Sequence, residues 1–151
     1  MPTTLCVGQI GAIFPNMKID IITIFPNLFS GFLSESLLAR AQKKKLITIK
    51  THNLRKWTDD KHKTVDDRPY GGGAGMVLKV EPIYKAVKDI NKDNKSRIIL
   101  LSAKGKTFTQ KDARRLAKYG QLVFVCGRYD DFPALINIAK HVPHFYRREA
   151  I

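Results

Sequence analysis

Cysteine is scarce in this sequence, since only Cys6 and Cys126 occur among 151 residues. Two cysteines this far apart provide neither a disulfide framework nor a zinc site, which is typical of a cytoplasmic protein. Long hydrophobic runs are also absent, because no apolar stretch reaches the roughly 18 residues that span a bilayer. Residues 1–16 carry no charge and so lack the basic start of a signal peptide. We therefore expect a cytoplasmic protein with no membrane partner.

Several common nucleotide-binding and catalytic motifs are missing. The absence of Gly-x-x-x-x-Gly-Lys-Ser/Thr excludes a P-loop. The pair Gly71-x-Gly73 lacks the third glycine of a dinucleotide-binding fingerprint and does not follow the first strand. No Gly-x-Ser-x-Gly nucleophile motif occurs. The four histidines show no metal-ligand spacing with cysteines or carboxylates, so no metal site is predicted.

Acidic residues are few: 13 Asp and Glu oppose 27 Lys and Arg, and the net charge is +14. The positive electrostatic field of such a protein attracts polyanions, of which nucleic acid is the commonest. Nine lysines and arginines, against two aspartates, lie between Arg40 and Lys63. Half of the net charge is thus concentrated in one stretch, which a phosphate backbone would bind. A basic surface that only keeps the protein soluble is the alternative interpretation of the composition.

The first part of the chain predicts a strand, a helix and a second strand. The β-branched run Lys18–Phe25 is typical of a strand. Pro26 and Asn27 interrupt it, and one helix is predicted from there to about Lys43. Leu46–His52 alternates apolar and polar residues, as a half-buried strand does. One apolar face of the predicted helix consists of Leu28, Phe29, Phe32, Leu33, Leu37, Leu38 and Ala41.

The fold class follows from the second part of the chain. Arg97–Ser102 and Gln121–Cys126 are short apolar runs and predict buried strands. Between them, Thr109 and Asp112 form a capping-box-like start of a helix that extends through Lys118. Strands that are apolar on both faces and alternate with helices indicate a parallel sheet covered by helices, which is an α/β fold. In such sheets ligands bind beyond the carboxyl ends of the strands.

Further elements flank this unit. A short strand over Gly75–Val80 and a helix that opens at Glu81 and Pro82 precede it, and a helix over 132–141 follows. The helix that opens at Glu81 is predicted to turn Ile83, Tyr84, Val87 and Ile90 inward, and the helix that starts at Thr109 is predicted to turn Ala113, Leu116 and Ala117 inward. The expected organisation is an N-terminal extension over 1–16, a domain over 17–131, and a helix with a basic tail over 132–151.

The stretch from Asn53 to Ala74 has no periodic pattern, and an irregular loop of this length is usually functional or disordered. Four of the five residues 71–75 are glycine, which permits positive φ and a close approach of the backbone to a ligand. A flexible surface turn is the simpler interpretation. The neighbouring triplet Asp66–Arg68 either forms a local turn or contacts a base edge and phosphates. Tyr129 is either a core residue or a stacking platform for an adenine or ribose.

The residues His62–Met76 (HKTVDDRPYGGGAGM), followed by Leu101–Ser102 and Val125–Tyr129 (VCGRY), resemble the bacterial tRNA (guanine-N1)-methyltransferase family of the SPOUT superfamily. Ile21–Phe29 (IITIFPNLF) is similar to the first strand and helix of that family. The similarity covers residues 17–130, and the loop motif is highly specific.

The resemblance implies a SPOUT-like α/β domain with a mostly parallel sheet and a deep trefoil knot, which works as a homodimer with the active site between subunits. The methyl donor would be S-adenosylmethionine, and the acceptor would be N1 of the guanine 3′ to the tRNA anticodon. Because guanine N1 carries a proton at neutral pH, a carboxylate base must remove it. Carried over by position, the residues of the donor pocket would be Leu100, Leu101, Ser102, Ala103, Gly127, Tyr129 and Asp130. Those that contact tRNA and the target base would be His62, Asp66, Asp67, Arg68, Tyr70, Gly71, Gly72 and Gly73.

The sequence departs from the family pattern at and after the donor-pocket residues. Ala103 stands where the family has proline, and Asp130–Asp131 where it has Glu-Gly. The family's catalytic arginine, general-base aspartate and knot-forming loop have no counterpart here, so no catalytic residue is assigned. We expect the knot segment and the C-terminal tRNA-binding domain to be missing. The alternative function is therefore a non-catalytic, basic RNA-binding or dimerising module on an unknotted sheet, which would bind RNA but not the methyl donor.

Overall fold

The computed structural model describes residues 16–68, 75–91, 96–101 and 106–127. Along the chain its elements are β1 (Met17–Thr23), α1 (Leu28–Ser34), α2 (Ser36–Lys43), β2 (Ile47–Asn53), a 3-10 helix (Leu54–Trp57), β3 (Asp66–Asp67), β4 (Val77–Leu78), α3 (Val80–Ile90), β5 (Ser96–Leu101), α4 (Gln110–Leu116) and β6 (Gln121–Cys126). The predicted extension before Asn16 and the predicted helix over 132–141 lie outside these residues.

Four strands form one sheet in the order β2–β1–β6–β5, and all of its neighbouring strands are parallel. The pairing aligns Ile19 with Ile49 on one side and with Leu122 on the other. The strands that the sequence predicts are therefore present, and the α/β class with a parallel sheet is confirmed. Because the two apolar runs β5 and β6 pair directly, their carboxyl ends meet at one edge of the sheet.

The sheet is covered differently on its two faces. On one face, α3 contributes Ile83 and Val87 to a buried cluster with Ile22 and Val123 of the sheet. We call this the α3 face. On the other face, Leu116 of α4 packs with buried side chains of β5 and β6, namely Ile99 and Leu122. The crossovers β1–α1–α2–β2 and β5–α4–β6 step across the sheet in the same direction, so the right-handed rule puts α1 and α2 on the α4 side.

The ends of α3 and α4 follow from their sequences. Pro82 lies in the first turn of α3, where its missing N–H is not needed and its fixed φ suits the helix. The predicted capping box of α4 is confirmed: the Asp112 backbone N–H donates to the Thr109 hydroxyl, and the Asp112 carboxylate accepts from the Thr109 backbone N–H at 3.1 Å. Two of the side chains predicted to face inward are exposed instead, since Tyr84 is 37% exposed and Ala117 also faces solvent.

The single helix predicted from Asn27 to Lys43 is wrong, because the structure has two short helices. Glu35 is extended (φ −118°, ψ 163°) and Ser36 takes a left-handed φ of 57°, so the helix is interrupted between them. Serine and glycine have low helix propensity, and the Ser34 hydroxyl donates to the Gly31 carbonyl at 2.9 Å. The apolar face of the predicted helix is only partly covered, because no residue of α1 or α2 is fully buried, and Leu28, Phe32 and Leu37 are exposed.

The stretch after β2 is more ordered than the sequence indicated. The 3-10 helix follows β2 directly, and its Leu54 is 2% exposed. Asp66 and Asp67 of β3 pair antiparallel with Leu78 and Val77 of β4. The predicted strand over 75–80 is thus confirmed in a shorter form, because α3 already begins at Val80. A hydrogen-bonded segment, rather than an irregular loop, leads to the glycine-rich residues.

Candidate functional site

The carboxyl edge of the sheet is built by the ends of β5 and β6. Leu100 pairs with Val125 and Leu101 with Cys126, and the half-buried Gly127 follows immediately. Both leucines are partly buried: Leu100 packs against the core of the α3 face, and Leu101 against the cluster on the α4 face. Three residues predicted for the donor pocket, Leu100, Leu101 and Gly127, are therefore brought together. The other predicted pocket residues lie outside the described ranges: Ser102, Ala103, Tyr129 and Asp130.

Cys126 ends β6 beside this edge, and burial raises the pKa of its thiol to about 11. A thiol of ordinary pKa is partly ionised at pH 8, whereas one at about 11 is ionised in roughly one molecule in a thousand. Since burial disfavours the thiolate and raises the folded-state pKa above the ordinary 9.0, the preference for the neutral thiol makes its full contribution to stability below pH 9. That contribution is lost as pH rises from 9 towards 11.

We predict that Cys126 reacts slowly with iodoacetamide in the folded protein. In a Cys6→Ser variant, the rate should rise about tenfold per pH unit between pH 7 and 10, because only the thiolate reacts. The same variant in urea serves as the control, and there the rate should be much higher at pH 8. A labelling rate that reaches a plateau below pH 9 in the folded protein would contradict the burial of this thiol.

The segment that carries the predicted tRNA-binding residues begins with a closed turn. The Thr64 backbone N–H donates to both carboxylate oxygens of Asp60, at 2.9 and 3.1 Å, and the Thr64 hydroxyl also contacts this carboxylate. The Arg55 guanidinium donates to the Lys63 carbonyl at 3.0 Å, while Lys63 itself takes a left-handed φ of 51°. These bonds hold the backbone on both sides of His62 in one conformation.

The Asp60 carboxylate should titrate below its ordinary range. The hydrogen bond from the Thr64 hydroxyl is the largest of the effects that lower the Asp60 pKa below 3.8, and the Thr64 backbone N–H adds to it. Replacement of Thr64 by valine should therefore move the Asp60 pKa back towards 3.8, as measured by the NMR shift of its carboxyl carbon. Thr58→Val is the matched control, because the Thr58 hydroxyl donates to the Arg55 carbonyl and not to Asp60.

The sign of the pH effect follows from the depressed pKa. The turn gains stability above the unfolded pKa of Asp60 and loses it as pH falls through the folded value. We expect the Thr64 amide to lose hydrogen-exchange protection only below about pH 4. An unchanged Asp60 titration in Thr64→Val would show that the turn does not depend on this contact.

Val65 anchors the segment in the hydrophobic core. Its side chain is 1% exposed, and its carbonyl accepts a hydrogen bond from the Lys79 backbone N–H at 2.7 Å. The same buried cluster contains Ile24, just after β1, and Val125, near the carboxyl end of β6. Leu100 packs against this cluster from the end of β5. The tertiary structure thus fixes the base of the predicted tRNA-binding segment against the carboxyl half of the sheet.

The predicted tRNA-binding residues differ in exposure. His62, Asp67 and Arg68 face solvent, whereas Asp66 is half-buried. The Oδ1 atom of Asp66 is buried and has no hydrogen-bond partner within the part of the chain that the structure describes. The Asp67 carboxylate accepts from the backbone N–H of the next residue, Arg68, at 2.8 Å. Four predicted residues lie outside the described ranges: Tyr70, Gly71, Gly72 and Gly73.

A buried polar cluster on the α3 face escaped the sequence analysis. Asp20 of β1 is 7% exposed, and its Oδ1 lies 2.7 Å from His52 Nε2 of β2. Gln121 Nε2 of β6 donates to the other carboxylate oxygen at 2.8 Å. A cavity of about 360 Å³ opens beside the cluster. Because both Asp20 oxygens have partners within the protein, the cluster ties three strands together. An aspartate inside an otherwise apolar strand was the available signal.

Two features are absent from residues 16–68, 75–91, 96–101 and 106–127. No group of three or more His, Cys, Asp or Glu side chains there is arranged to hold a metal ion. No helix within the same ranges is long and apolar enough to cross a membrane.

Comparisons with known proteins agree with the geometry. Residues 17–141 match the family described as tRNA (Guanine-1)-methyltransferase TrmD. A tRNA (guanine-N(1)-)-methyltransferase of Anoxybacillus flavithermus is 51% identical over 123 residues, which are 80% of this chain and 50% of the relative. One of Dictyoglomus turgidum is 54% identical over 114 residues, which are 76% of this chain and 46% of that relative.

A solved structure is also similar. The crystal structure of tRNA (m1G37) methyltransferase from Aquifex aeolicus superposes with a TM-score of 0.74 at 30% sequence identity, over 85% of this chain and 57% of that one. The chain spans about half the length of the curated relatives it matches. The mostly parallel α/β sheet and the family resemblance seen in the sequence are both confirmed, while the expected absence of the family's knot segment stays a prediction. The chain belongs to the tRNA (guanine-1)-methyltransferase family.

Proposed function

We propose that this chain provides the methyl-donor pocket and the target-guanine segment of an S-adenosylmethionine-dependent tRNA (guanine-N1)-methyltransferase. The observation that supports this most directly is the buried cluster that joins Val65 to Val125 and, through Leu100, to the end of β5. It holds the segment with the family's loop motif against the edge of the sheet where α/β proteins bind ligands. Family membership supplies the reaction class.

The donor is assigned to the ends of β5 and β6. Leu100 and Leu101 supply apolar walls for an adenine, and Gly127 lets the backbone approach closely. The remaining members of this proposed pocket are Ser102, Ala103, Tyr129 and Asp130. When bound, S-adenosylmethionine supplies an electrophilic methyl group on a positively charged sulfur. The chain's own contribution is to bind the donor and to exclude water from it.

The target guanine is assigned to Asp66. The Watson–Crick edge of guanine presents two adjacent donors, N1–H and the exocyclic amino group, and an aspartate carboxylate can accept from both. Asp66 has a buried oxygen without a partner in the described residues, so a guanine edge would remove a desolvation cost. His62, Asp67 and Arg68 contact the surrounding tRNA, together with Tyr70, Gly71, Gly72 and Gly73. We assign the general base for the N1 proton to no residue of this chain.

The wider setting of the proposed function is the cytoplasm, with tRNA as the substrate and a homodimer as the working form. The net charge of +14 supports the tRNA assignment, because phosphates release counterions when lysines and arginines neutralise them. The same charge also favours the second candidate, a non-catalytic RNA-binding or dimerising module of this family. The two candidates differ in one property, which is affinity for the methyl donor.

Calorimetric titration of S-adenosylmethionine into the purified chain tests the proposal. We expect micromolar binding, and we expect Gly127→Val to weaken it at least about tenfold, since a branched side chain would occupy space where the backbone approaches the ligand. Gly120→Val is the matched control, because Gly120 lies at the opposite end of β6 and an added Cβ there has no atom within 4 Å.

Absence of donor binding by the folded chain would rule out the donor pocket. Strong, salt-dependent tRNA binding under the same conditions would then identify the RNA-binding module instead.

A further inference from the structure

The cavity of about 360 Å³ on the α3 face lies near the amino ends of β1 and β6. Its polar side includes the cluster of Asp20, His52 and Gln121, and the last turn of α3 adds a wall with Asp89 and Ile90. The volume falls within the ~300–1,000 Å³ of cavities that hold small ligands. We call it the α3-face cavity.

Two exposed lysines line this cavity and are close together. Lys50 pairs with Asp20 in the register of β1 and β2, so Lys18, two residues before Asp20, is its diagonal neighbour on the same face of the sheet. The Cα atoms of the two lysines are roughly 8 Å apart, given a strand spacing of about 4.8 Å and a rise of about 3.3 Å per residue. Lysine side chains are long enough for both ammonium groups to reach one ligand group from these positions.

The charges of the cavity favour an anion. Neither lysine ammonium group makes a hydrogen bond or an ion pair within the part of the chain that the structure describes. The neighbouring carboxylate, Asp20, already contacts His52 and Gln121 through its two oxygens. Two ammonium groups are therefore available for about two negative charges. A phosphate monoester carries about −1.5 to −2 at pH 7, whereas each diester of an RNA backbone carries a single charge.

Asp89 adds an acceptor on the wall that α3 provides. Its Oδ2 accepts from the Trp57 indole at 3.3 Å, while its Oδ1 accepts no hydrogen bond from the residues that the structure describes. A carboxylate repels a bare anion but accepts hydrogen bonds from hydroxyl groups, as an acidic residue does with a ribose in dinucleotide-binding folds. The cavity thus combines cations for a phosphate with an acceptor for hydroxyls.

We propose that the α3-face cavity binds a phosphate monoester of a small hydroxylated molecule, a pentose phosphate or a nucleotide. Lys18 and Lys50 bind the phosphate, and Asp89 accepts hydrogen bonds from the hydroxyls. The site is separate from the proposed donor pocket, because Gln121 begins β6 and Gly127 follows its end, about 20 Å away at the usual rise per residue. The inference therefore does not depend on the proposed function.

Calorimetric titration of ribose 5-phosphate into the full chain, in phosphate-free buffer at constant salt, tests the site. We expect a dissociation constant below about 1 mM and no binding of ribose. Lys18→Gln and Lys50→Gln should each weaken binding at least about tenfold, because hydrogen bonds between charged groups are the strong ones. Lys111→Gln is the matched control, since Lys111 is exposed on α4, which covers the other face of the sheet.

Asp89→Ala separates the two parts of the ligand. The ratio of the affinities for ribose 5-phosphate and for inorganic phosphate should fall about tenfold, because the substitution removes the acceptor for hydroxyls and not the cations. A local readout accompanies this measurement. The NMR signals of the Gln121 side-chain amide should shift when ribose 5-phosphate is added, since Gln121 lines the cavity.

The end of an RNA with a 5′-phosphate offers the same chemistry as a free phosphate ester. Displacement of ribose 5-phosphate by a 5′-phosphorylated stem–loop, and not by the same stem–loop without this phosphate, would identify an RNA end as the source. Simultaneous binding of stem–loop and ribose 5-phosphate would identify a free ester. Equal displacement by both stem–loops would overturn the assignment to a monoester.

Three further results would overturn the proposal: no binding of ribose 5-phosphate by the folded chain, an equal loss of affinity in Lys111→Gln and Lys50→Gln, or an unchanged Gln121 amide signal. Titration of S-adenosylmethionine into the same samples separates this outcome from the proposed function. Donor binding should be the same with and without ribose 5-phosphate, and its absence would leave the α3-face cavity unaffected.

Discussion

Replacement of Asp66 by asparagine is expected to weaken the binding of an anticodon stem–loop with guanine 3′ to the anticodon by about 10- to 100-fold, because the Asp66 carboxylate is proposed to bind the guanine edge. A bidentate contact to a base edge is worth about 1–3 kcal/mol, and asparagine keeps only one of the two acceptor oxygens. Its amino group would face the guanine N1–H or amino group, both of which are donors. Filter binding at constant salt measures this affinity.

The same variant should lose its preference for guanine. We expect the unmodified chain to bind a stem–loop with guanine 3′ to the anticodon more tightly than one with adenine, and Asp66→Asn to bind both almost equally. Glu81→Gln is the control, since this carboxylate is exposed on α3 and pairs with Lys85. Unchanged guanine preference in Asp66→Asn would remove Asp66 from base recognition, whereas unchanged donor binding would show that the pocket at β5 and β6 is independent.

Replacement of Asp20 by alanine is expected to lower the free energy of unfolding by about 2–4 kcal/mol, because a buried polar group that loses its partner costs about 1–3 kcal/mol. The substitution leaves the part-buried His52 Nε2 without the carboxylate that it contacts, and leaves Gln121 Nε2 with only its longer bond of 3.4 Å to the Ile90 carbonyl. It also removes the one link that joins β2, β1 and β6 through side chains of this cluster. Urea denaturation of the unmodified chain and of Asp20→Ala measures the difference in their free energies of unfolding. The dependence of this free energy on urea concentration should be the same for both proteins.

Asp89→Ala is the control for this prediction. The Asp89 carboxylate accepts from the Trp57 indole at 3.3 Å but is exposed on α3 beside the same cavity, so its loss should cost little. An Asp20→Ala variant that is no less stable than Asp89→Ala would show that the cluster contributes nothing to stability. The free energy of unfolding of Asp20→Asn should lie between those of Asp20→Ala and Asp89→Ala, because the amide oxygen of asparagine still accepts a hydrogen bond from one of the two partners.

Much of the fold was predictable from local patterns. The β-branched run that became β1 and the apolar runs of β5 and β6 predicted strands, because each is short and suited to burial on both faces. The Thr109 capping box predicted the start of α4 because the bonds that form it are local. The prediction failed for α1 and α2. Their apolar spacing indicated one helix, but Gly31, Ser34 and Ser36 weaken it at the point where the backbone departs from helical angles.

The functional motif could also be recognised in the sequence, since His62–Met76 and Val125–Tyr129 carried the family resemblance that the comparisons confirm. The contacts between these segments could not be predicted from the sequence, because they depend on the order of the strands in the sheet. Leu101 and Cys126 are adjacent only because β5 pairs with β6, and Val65 reaches the end of β6 only through the core of the α3 face.

The sequence alone determined the fold class and the basic character of this protein, because composition, periodicity and local hydrogen bonding are properties of neighbouring residues, and its motifs carried the family resemblance. Only the tertiary structure decided which polar groups are buried together and which apolar groups are left exposed. Asp20 and Gln121 are 101 residues apart, and their contact exists because β6 lies next to β1. The exposure of Phe32 likewise depends on what packs against α1. Which groups are buried together is set by distant parts of the chain, and no local pattern encodes it.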